Sequence, residues 1–191
     1  MKIGIVNCGG ANLNSIYYSL NRIGVKSIIS ASRKDLDATD YLILPGVGSA
    51  SVVMEHLKDN NLIDYIKHTT KPILGICIGM QILFEHSEEG NTDCLGLLDG
   101  MVKKFTPVMD EAVPQMGWNS VECNNNFNHL DGYYYFANSY FVKTYKDEVG
   151  NTTYIRNFSS IIKKDNITGC QFHPEKSSTA GEKFLKEFLK L

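Results

Sequence analysis

The sequence predicts an α/β sandwich: a parallel sheet covered by helices on both faces, continued by a β-rich second half. Three observations predict it. Short apolar runs alternate with helical periodicities through the first 85 residues, the pattern of right-handed crossovers between parallel strands. From Met101 to Gln171 the texture changes to Val-, Ile- and Tyr-containing runs separated by Asn, Asp and Gly. The chain then closes with Phe184, Leu185, Phe188 and Leu189 on one face and Lys183, Lys186 and Lys190 on another, an amphipathic helix returning to the sheet.

Taken in order, Ile3 to Val6 reads as a buried strand stopped by a Gly pair. Leu13, Ile16, Tyr17, Leu20 and Ile23 recur at helical spacing, with Gly24 as the stop. Lys26 to Ser30 and Tyr41 to Leu44 are the next strands, the second ended by Pro45. Val52, Val53, Met54 and Leu57 predict a helix, and so do Leu62, Ile63, Tyr65 and Ile66. Pro72 to Ile76 is again a buried strand, followed by a helix from about Ile78 to Phe84. The Asn cluster at 124–128 reads as a surface turn.

The 191 residues suit one domain, residues 1–191, at about 150 residues per domain. A chain of that size buries roughly 70% of the surface its unfolded form exposes, so it needs no staples. Hydrophobic residues at 43% and charged ones at 21% exclude a disordered tail, a collagen-like fibre and a disulfide scaffold. A net charge of −2 disfavours nucleic acid as a partner. No apolar stretch approaches the ~20 residues of a membrane span. The N-terminal run is too short for a secretory core. Five scattered cysteines without a CxxC pair point to reduced thiols and a cytoplasmic home.

The stretch most informative about chemistry is Gly75-Ile76-Cys77-Ile78-Gly79. Gly-x-Cys-x-Gly between a buried strand and a helix is a nucleophile elbow with sulfur as the nucleophile. The turn is too sharp for flanking side chains. The helix that follows would aim free N–H groups and its positive dipole end at the sulfur, with the Ile78 N–H as the natural oxyanion donor. A small buried core residue is the bland alternative for Cys77, so a base is needed. His86 would lie roughly 13 Å along the same helix, out of reach. His56, His68 and His129 sit on polar segments and read as surface residues.

His173 differs. Pro174 biases it to extended backbone, where His173 and Glu175, two apart, share one face. A carboxylate there fixes the imidazole tautomer and leaves the other ring nitrogen for a thiol. A capped strand end accounts for His-Pro-Glu alone, but the elbow makes a Cys-His-Glu triad the stronger reading. Cys170 and His173 offer half a metal site without a second pair, so neither metal nor cofactor is expected. Pro45-Gly46-Val47-Gly48-Ser49 lacks the length and the lysine of a Walker loop. Its glycines, at a strand's carboxyl end, instead suit a substrate or an oxyanion.

Together, Pro45-Gly46-Val47-Gly48, Gly75-Ile76-Cys77-Ile78-Gly79-Met80-Gln81 and His173-Pro174-Glu175 resemble the class I glutamine amidotransferase family, in the right order along the whole chain. The resemblance implies a flavodoxin-like three-layer α/β/α sandwich with a mostly parallel central sheet. It implies L-glutamine as substrate, with Cys77 forming a glutamyl thioester, His173 moving protons and Glu175 orienting His173. Gly46, Val47 and Gly48 would line the oxyanion region opposite Ile78. Gln81, Glu89, Ser139 and Tyr140 would hold glutamine's α-amino and α-carboxylate groups.

Within the family, Asn12-Leu13-x-Ser15, Phe84-Glu85-His86-Ser87-Glu88-Glu89, Val113-Pro114-Gln115-Met116-Gly117-Trp118-Asn119, Tyr133-Tyr134-Tyr135-Phe136 and His173-Pro174-Glu175-Lys176-Ser177-Ser178 are similar to glutaminase subunits of histidine biosynthesis. These pass ammonia to a (β/α)₈ cyclase within a heterodimer. By that resemblance Asn12, Trp118, Tyr135 and Lys176 face the partner, core filling being the alternative for Trp118. Asn7-Cys8-Gly9 stands where Asp-Tyr-Gly is usual, and Gln115 and Asn138 stand where His is frequent. These departures fall on segments assigned to the partner side. They leave open a paralogue that supplies ammonia for amination of a surface-polysaccharide sugar. A non-catalytic binding subunit is the alternative from outside the chemistry.

Overall fold

A computed structural model describes residues 1–9, 13–46, 48–109 and 111–191. The first half runs β1 (Lys2–Val6), α1 (Leu13–Arg22), β2 (Lys26–Ser30), α2 (Arg33–Asp37), β3 (Tyr41–Leu44), α3 (Ala50–Asp59), α4 (Ile63–His68), β4 (Ile73–Ile76) and α5 (Ile78–Gln81). Nine more strands follow. They are β5 (His86–Ser87), β6 (Thr92–Asp93), β7 (Met101–Lys104), β8 (Gln115–Cys123), β9 (Gly132–Asn138), β10 (Tyr140–Val142), β11 (Glu148–Tyr154), β12 (Arg156–Lys164) and β13 (Ile167–Cys170). The chain ends in α6 (Ser178–Leu189).

The main sheet has the order β2-β1-β3-β4-β13-β12-β11-β8-β9. Strands β2, β1, β3, β4 and β13 are mutually parallel, and β12, β11, β8 and β9 extend them antiparallel. The parallel strands read as continuous apolar runs because both their faces are covered: Ile3, Ile5, Val6, Leu42, Ile43, Leu44, Leu74 and Ile76 are all fully buried. The step from β1 out to β2 and the return to β3 reverse direction. Right-handed crossovers therefore put α1 and α2 on opposite faces. Helix α6 lies beside α1, with Arg22 Nε 3.3 Å from Glu182 Oε1, and packs Phe188 edge-on against Tyr41. A second sheet, β10-β7-β5-β6, stands beside the first.

Two local expectations are corrected, and one helix, α2, left no mark in the sequence. Helix α2 has a single buried residue, Leu36, too little to leave a period. The helix after Cys77 ends at Gln81 rather than near Phe84. Ile82, Leu83 and Phe84 are all buried, so their apolar run cannot distinguish helix from turn. The backbone there turns to pair elsewhere, Glu85 N–H donating to the Gly100 carbonyl at 3.1 Å, and His86 lies on β5 instead of on that helix. Gly24 does stop α1, at φ +78°, and the Asn-rich stretch is an exposed turn.

Candidate active site

Three strand ends meet here: those of β3, β4 and β13. Cys77 follows β4 with φ 51° and ψ −109°, a conformation costly for an L-residue. It is held because the Cys77 N–H donates to the Cys170 carbonyl on β13 at 2.7 Å, and because the adjoining turns touch backbone to backbone. A Cβ on Gly46 would lie 2.6 Å from Cys77 Cβ, and one on Gly79 would collide with the Leu44 carbonyl. Since α5 is one turn long, its dipole is small. Individual donors, not a macrodipole, act on the sulfur. The Ile78 N–H opens that turn and so lacks an intrahelical acceptor.

His173 sits beyond β13 in extended backbone, φ −99° and ψ 97°, as Pro174 requires, but the chain then enters a 3-10 turn over Pro174–Lys176, so Glu175 reaches the ring through that turn and not along the expected extended strand. Its Nδ1 lies 2.9 Å from Glu175 Oε1, the two side chains being 7% and 2% exposed. The His173 backbone is held on both sides: its main-chain N–H donates to the Tyr135 carbonyl on β9 at 2.9 Å, and Ser177 Oγ donates to its carbonyl at 2.7 Å. The imidazole and the Cys77 sulfur line the same cleft and interact electrostatically. Burial, the largest influence on the ring, disfavours its charge. The Cys77 sulfur and the Glu175 carboxylate together outweigh it and push the His173 pKa well above its ordinary value. The imidazole thus stands between the thiol and the carboxylate and interacts with both.

The sulfur and ring open on a cleft of about 250 Å³. Of the residues anticipated from the sequence, Gly46, Gly48, Cys77, Ile78, Gln81, Glu89, Ser139, Tyr140 and His173 all line it, and Glu175 stands behind His173. Val47 and Asn12 lie outside the described residues. Gln81 Nε2 donates to the Tyr140 carbonyl and to Gln171 Oε1, both at 3.0 Å. The Glu89 carboxylate accepts from the Ala50 N–H at 2.7 Å. Burial raises its pKa, and that bond offsets part of the shift. Trp118 is 54% exposed, so it is not core filling. It meets Tyr135 edge-on at 6.3 Å, and Lys176 Nζ lies 5.6 Å from the same ring.

Sequence reasoning missed Pro114, Met116, Ala137 and Asn138, which complete the cleft, and Gln171, which touches the sulfur at 3.6 Å. Gln171 lies in a bend, at 171–172, where no strand alternation marks which way a side chain points. The strand register that brings β8 and β9 over the elbow left no local mark. The other histidines are remote from this chemistry: His56, His68 and His129 are exposed, and His86 pairs with Asp93 at 3.0 Å. Among the described residues no group of three His, Cys, Asp or Glu could hold a metal ion.

The family model for glutamine amidotransferase class-I matches residues 4–191. Imidazole glycerol phosphate synthase subunit HisH of Bacteroides fragilis (strain YCH46) is 43% identical, over 100% of both chains. Imidazole glycerol phosphate synthase subunit HisH 2 of Campylobacter jejuni (strain RM1221) is 45% identical, over 100% of this chain and 98% of the relative. A crystal structure of a glutamine amidotransferase superposes with a TM-score of 0.78 at 15% identity, covering 98% of this chain and 97% of the other. That likeness carries the flavodoxin-like fold. The family match spans nearly the whole chain and the sequence relatives all of it, so this enzyme belongs to the class-I glutamine amidotransferase family.

Proposed function

We infer that the chain is the glutaminase subunit of an imidazole glycerol phosphate synthase. It would hydrolyse L-glutamine to glutamate and hand the ammonia to a (β/α)₈ cyclase docked over the cleft. The observation that carries the reading is the buried His173–Glu175 pair placed in one cleft of amino-acid size with the Cys77 sulfur. Full-length relatives bearing that subunit's name support it.

In this mechanism the Cys77 thiolate attacks the side-chain amide carbon of glutamine. The carbonyl oxygen takes the negative charge beside the Ile78 N–H, opposite Gly46 and Gly48. The His173 imidazolium gives its proton to the amide nitrogen, the C–N bond breaks, and ammonia leaves a glutamyl thioester. Neutral His173 then takes a proton from water. The hydroxide attacks the thioester carbon, the C–S bond breaks, and glutamate departs with thiolate and imidazolium restored. Glu175 holds the ring's tautomer throughout. Gln81, Glu89, Ser139 and Tyr140 hold the α-amino and α-carboxylate groups.

Ammonia released into neutral water becomes mostly ammonium, which is no nucleophile, so a partner must receive it through a closed path. Exposed Trp118 and Lys176 stand beside the half-buried Tyr135 ring, and with Asn12 the three would meet that partner. A cytoplasmic location fits the free cysteines, and no helix among the described residues is long and apolar enough to cross a membrane.

The test replaces Cys77→Ser and His173→Ala in the complex. Glutamine-dependent turnover is expected to vanish while turnover driven by added ammonia persists. Loss of both together would mean a structural role. Co-expression with its barrel in a histidine auxotroph lacking the glutaminase subunit should restore growth. No rescue would favour a paralogue that serves sugar amination.

A further inference from the structure

One buried side chain reaches the nucleophile without lining the cleft. Gln171 is fully buried, and its Nε2 donates toward Cys77 Sγ at 3.6 Å. Gln171 and His173 lie two residues apart across the bend that follows β13, and both approach the same sulfur. The Gln171 Oε1 is fixed by Gln81 Nε2 at 3.0 Å, and that nitrogen is fixed in turn by the Tyr140 carbonyl at 3.0 Å. Gln81 does line the cleft, and its own Oε1 is buried with no hydrogen-bond partner among the described residues. A buried carbonyl oxygen on a residue that lines the cleft is thus joined to the sulfur through two primary amides in series.

We propose that Gln81 and Gln171 form a buried amide relay that sets the ionisation of Cys77 and ties it to occupancy of the amino-acid end of the cleft. An N–H donor favours a thiolate far more than a thiol, because charge-assisted hydrogen bonds are about twice as strong as neutral ones. The amide cannot give up its proton, so it biases the sulfur toward the anion without competing as an acid. When the ammonium of an α-amino acid meets Gln81 Oε1, it polarises that amide. The Nε2–H then binds Gln171 Oε1 more tightly, and the Gln171 N–H binds the sulfur more tightly in turn, as hydrogen bonds in series do. Gln171 is a positioning residue. The ligand's identity rests on the glutaminase function above, whereas the effect on sulfur ionisation does not.

The experiment follows alkylation of Cys77 by iodoacetamide against pH, read on the Cys77 peptide by mass. Gln171→Met is expected to raise the midpoint by about one pH unit, a ~10-fold slower reaction at neutral pH. Gln81→Met, at one remove from the sulfur, should raise it too. The double variant should shift no further than Gln171→Met alone, since the two act as one unit. An unchanged midpoint in folded Gln171→Met, or additive shifts, would overturn the relay. If Gln171→Met does not fold, Gln171→Glu keeps an acceptor for Gln81 and loses the donor to sulfur. A raised midpoint is then expected, and an unchanged one sinks the idea.

Coupling to the ligand is read in the complex with glutamine and with 4-carbamoylbutanoate, which lacks the α-amino group. Wild type should turn glutamine over faster, and Gln171→Met should shrink that kcat ratio toward one with KM for glutamine held. An unshrunk ratio refutes the coupling. A chain that titrates as expected but releases no glutamate refutes the glutaminase function and leaves the thiol relay standing.

Discussion

Replacing Glu175 by Gln removes a charge and keeps the shape. The pair it perturbs is almost sealed from water, at 7% and 2% side-chain exposure with 2.9 Å between Nδ1 and Oε1, so solvent screening removes little of its worth. A hydrogen bond to a charged group contributes about 1.5–3 kcal/mol. The amide oxygen of Gln can still accept from Nδ1–H, which leaves the lower part of that range, ~1.5–2 kcal/mol, as the charge-dependent loss. At 1.36 kcal/mol per decade this lowers kcat by about 10- to 30-fold. The assay is glutamate release by the complex across pH, with ammonia-driven turnover as the control for assembly. Glu175 is one cause of the raised His173 pKa, so the alkaline limb of the profile should also move to lower pH. A folded Glu175→Gln complex with kcat within about twofold of wild type, on an unmoved alkaline limb, would refute this reasoning.

Three further outcomes are expected. Because the folded pKa of His173 lies above its unfolded value, its contribution to stability is fully present below about pH 6.5 and is lost as pH rises through the folded value. Denaturant titrations should show that alkaline decline in wild type and a smaller one in His173→Ala. Gly79→Ala forces a methyl into the Leu44 carbonyl and should cost at least ~2 kcal/mol in the same titration, whereas a loss under about 0.5 kcal/mol would show the two turns free to part. Trp118→Ala should leave the chain's own stability within about 0.5 kcal/mol and weaken partner binding by ~2 kcal/mol, about 30-fold in Kd. Equal affinity by calorimetry would remove Trp118 from the interface.

What could be read from the sequence alone was whatever depends on local spacing. Buried strands β1, β3 and β4 declared themselves as continuous apolar runs, and α1 and α6 as single apolar faces. The elbow was legible because its glycines and its sulfur lie within five residues, and His173 with Glu175 because they are near neighbours, although a 3-10 turn and not strand alternation brings them together. Where burial is complete on every side, as at Ile82–Phe84, period carries no information, and the helix ends at Gln81 with no mark in the sequence.

Tertiary structure alone decided the rest. Strand β13 pairs parallel with β4, Cys170 opposite Ile76, although more than ninety residues separate them in the chain. That pairing alone brings Gln171 and His173 to the sulfur. Strands β8 and β9 then close the cleft over it. Pairing between distant strands is chosen by the whole molecule's burial and backbone hydrogen bonding, which no short stretch of sequence contains. The reacting groups could therefore be named from their neighbours in the chain, but the amide behind the sulfur and the wall facing it came from the fold.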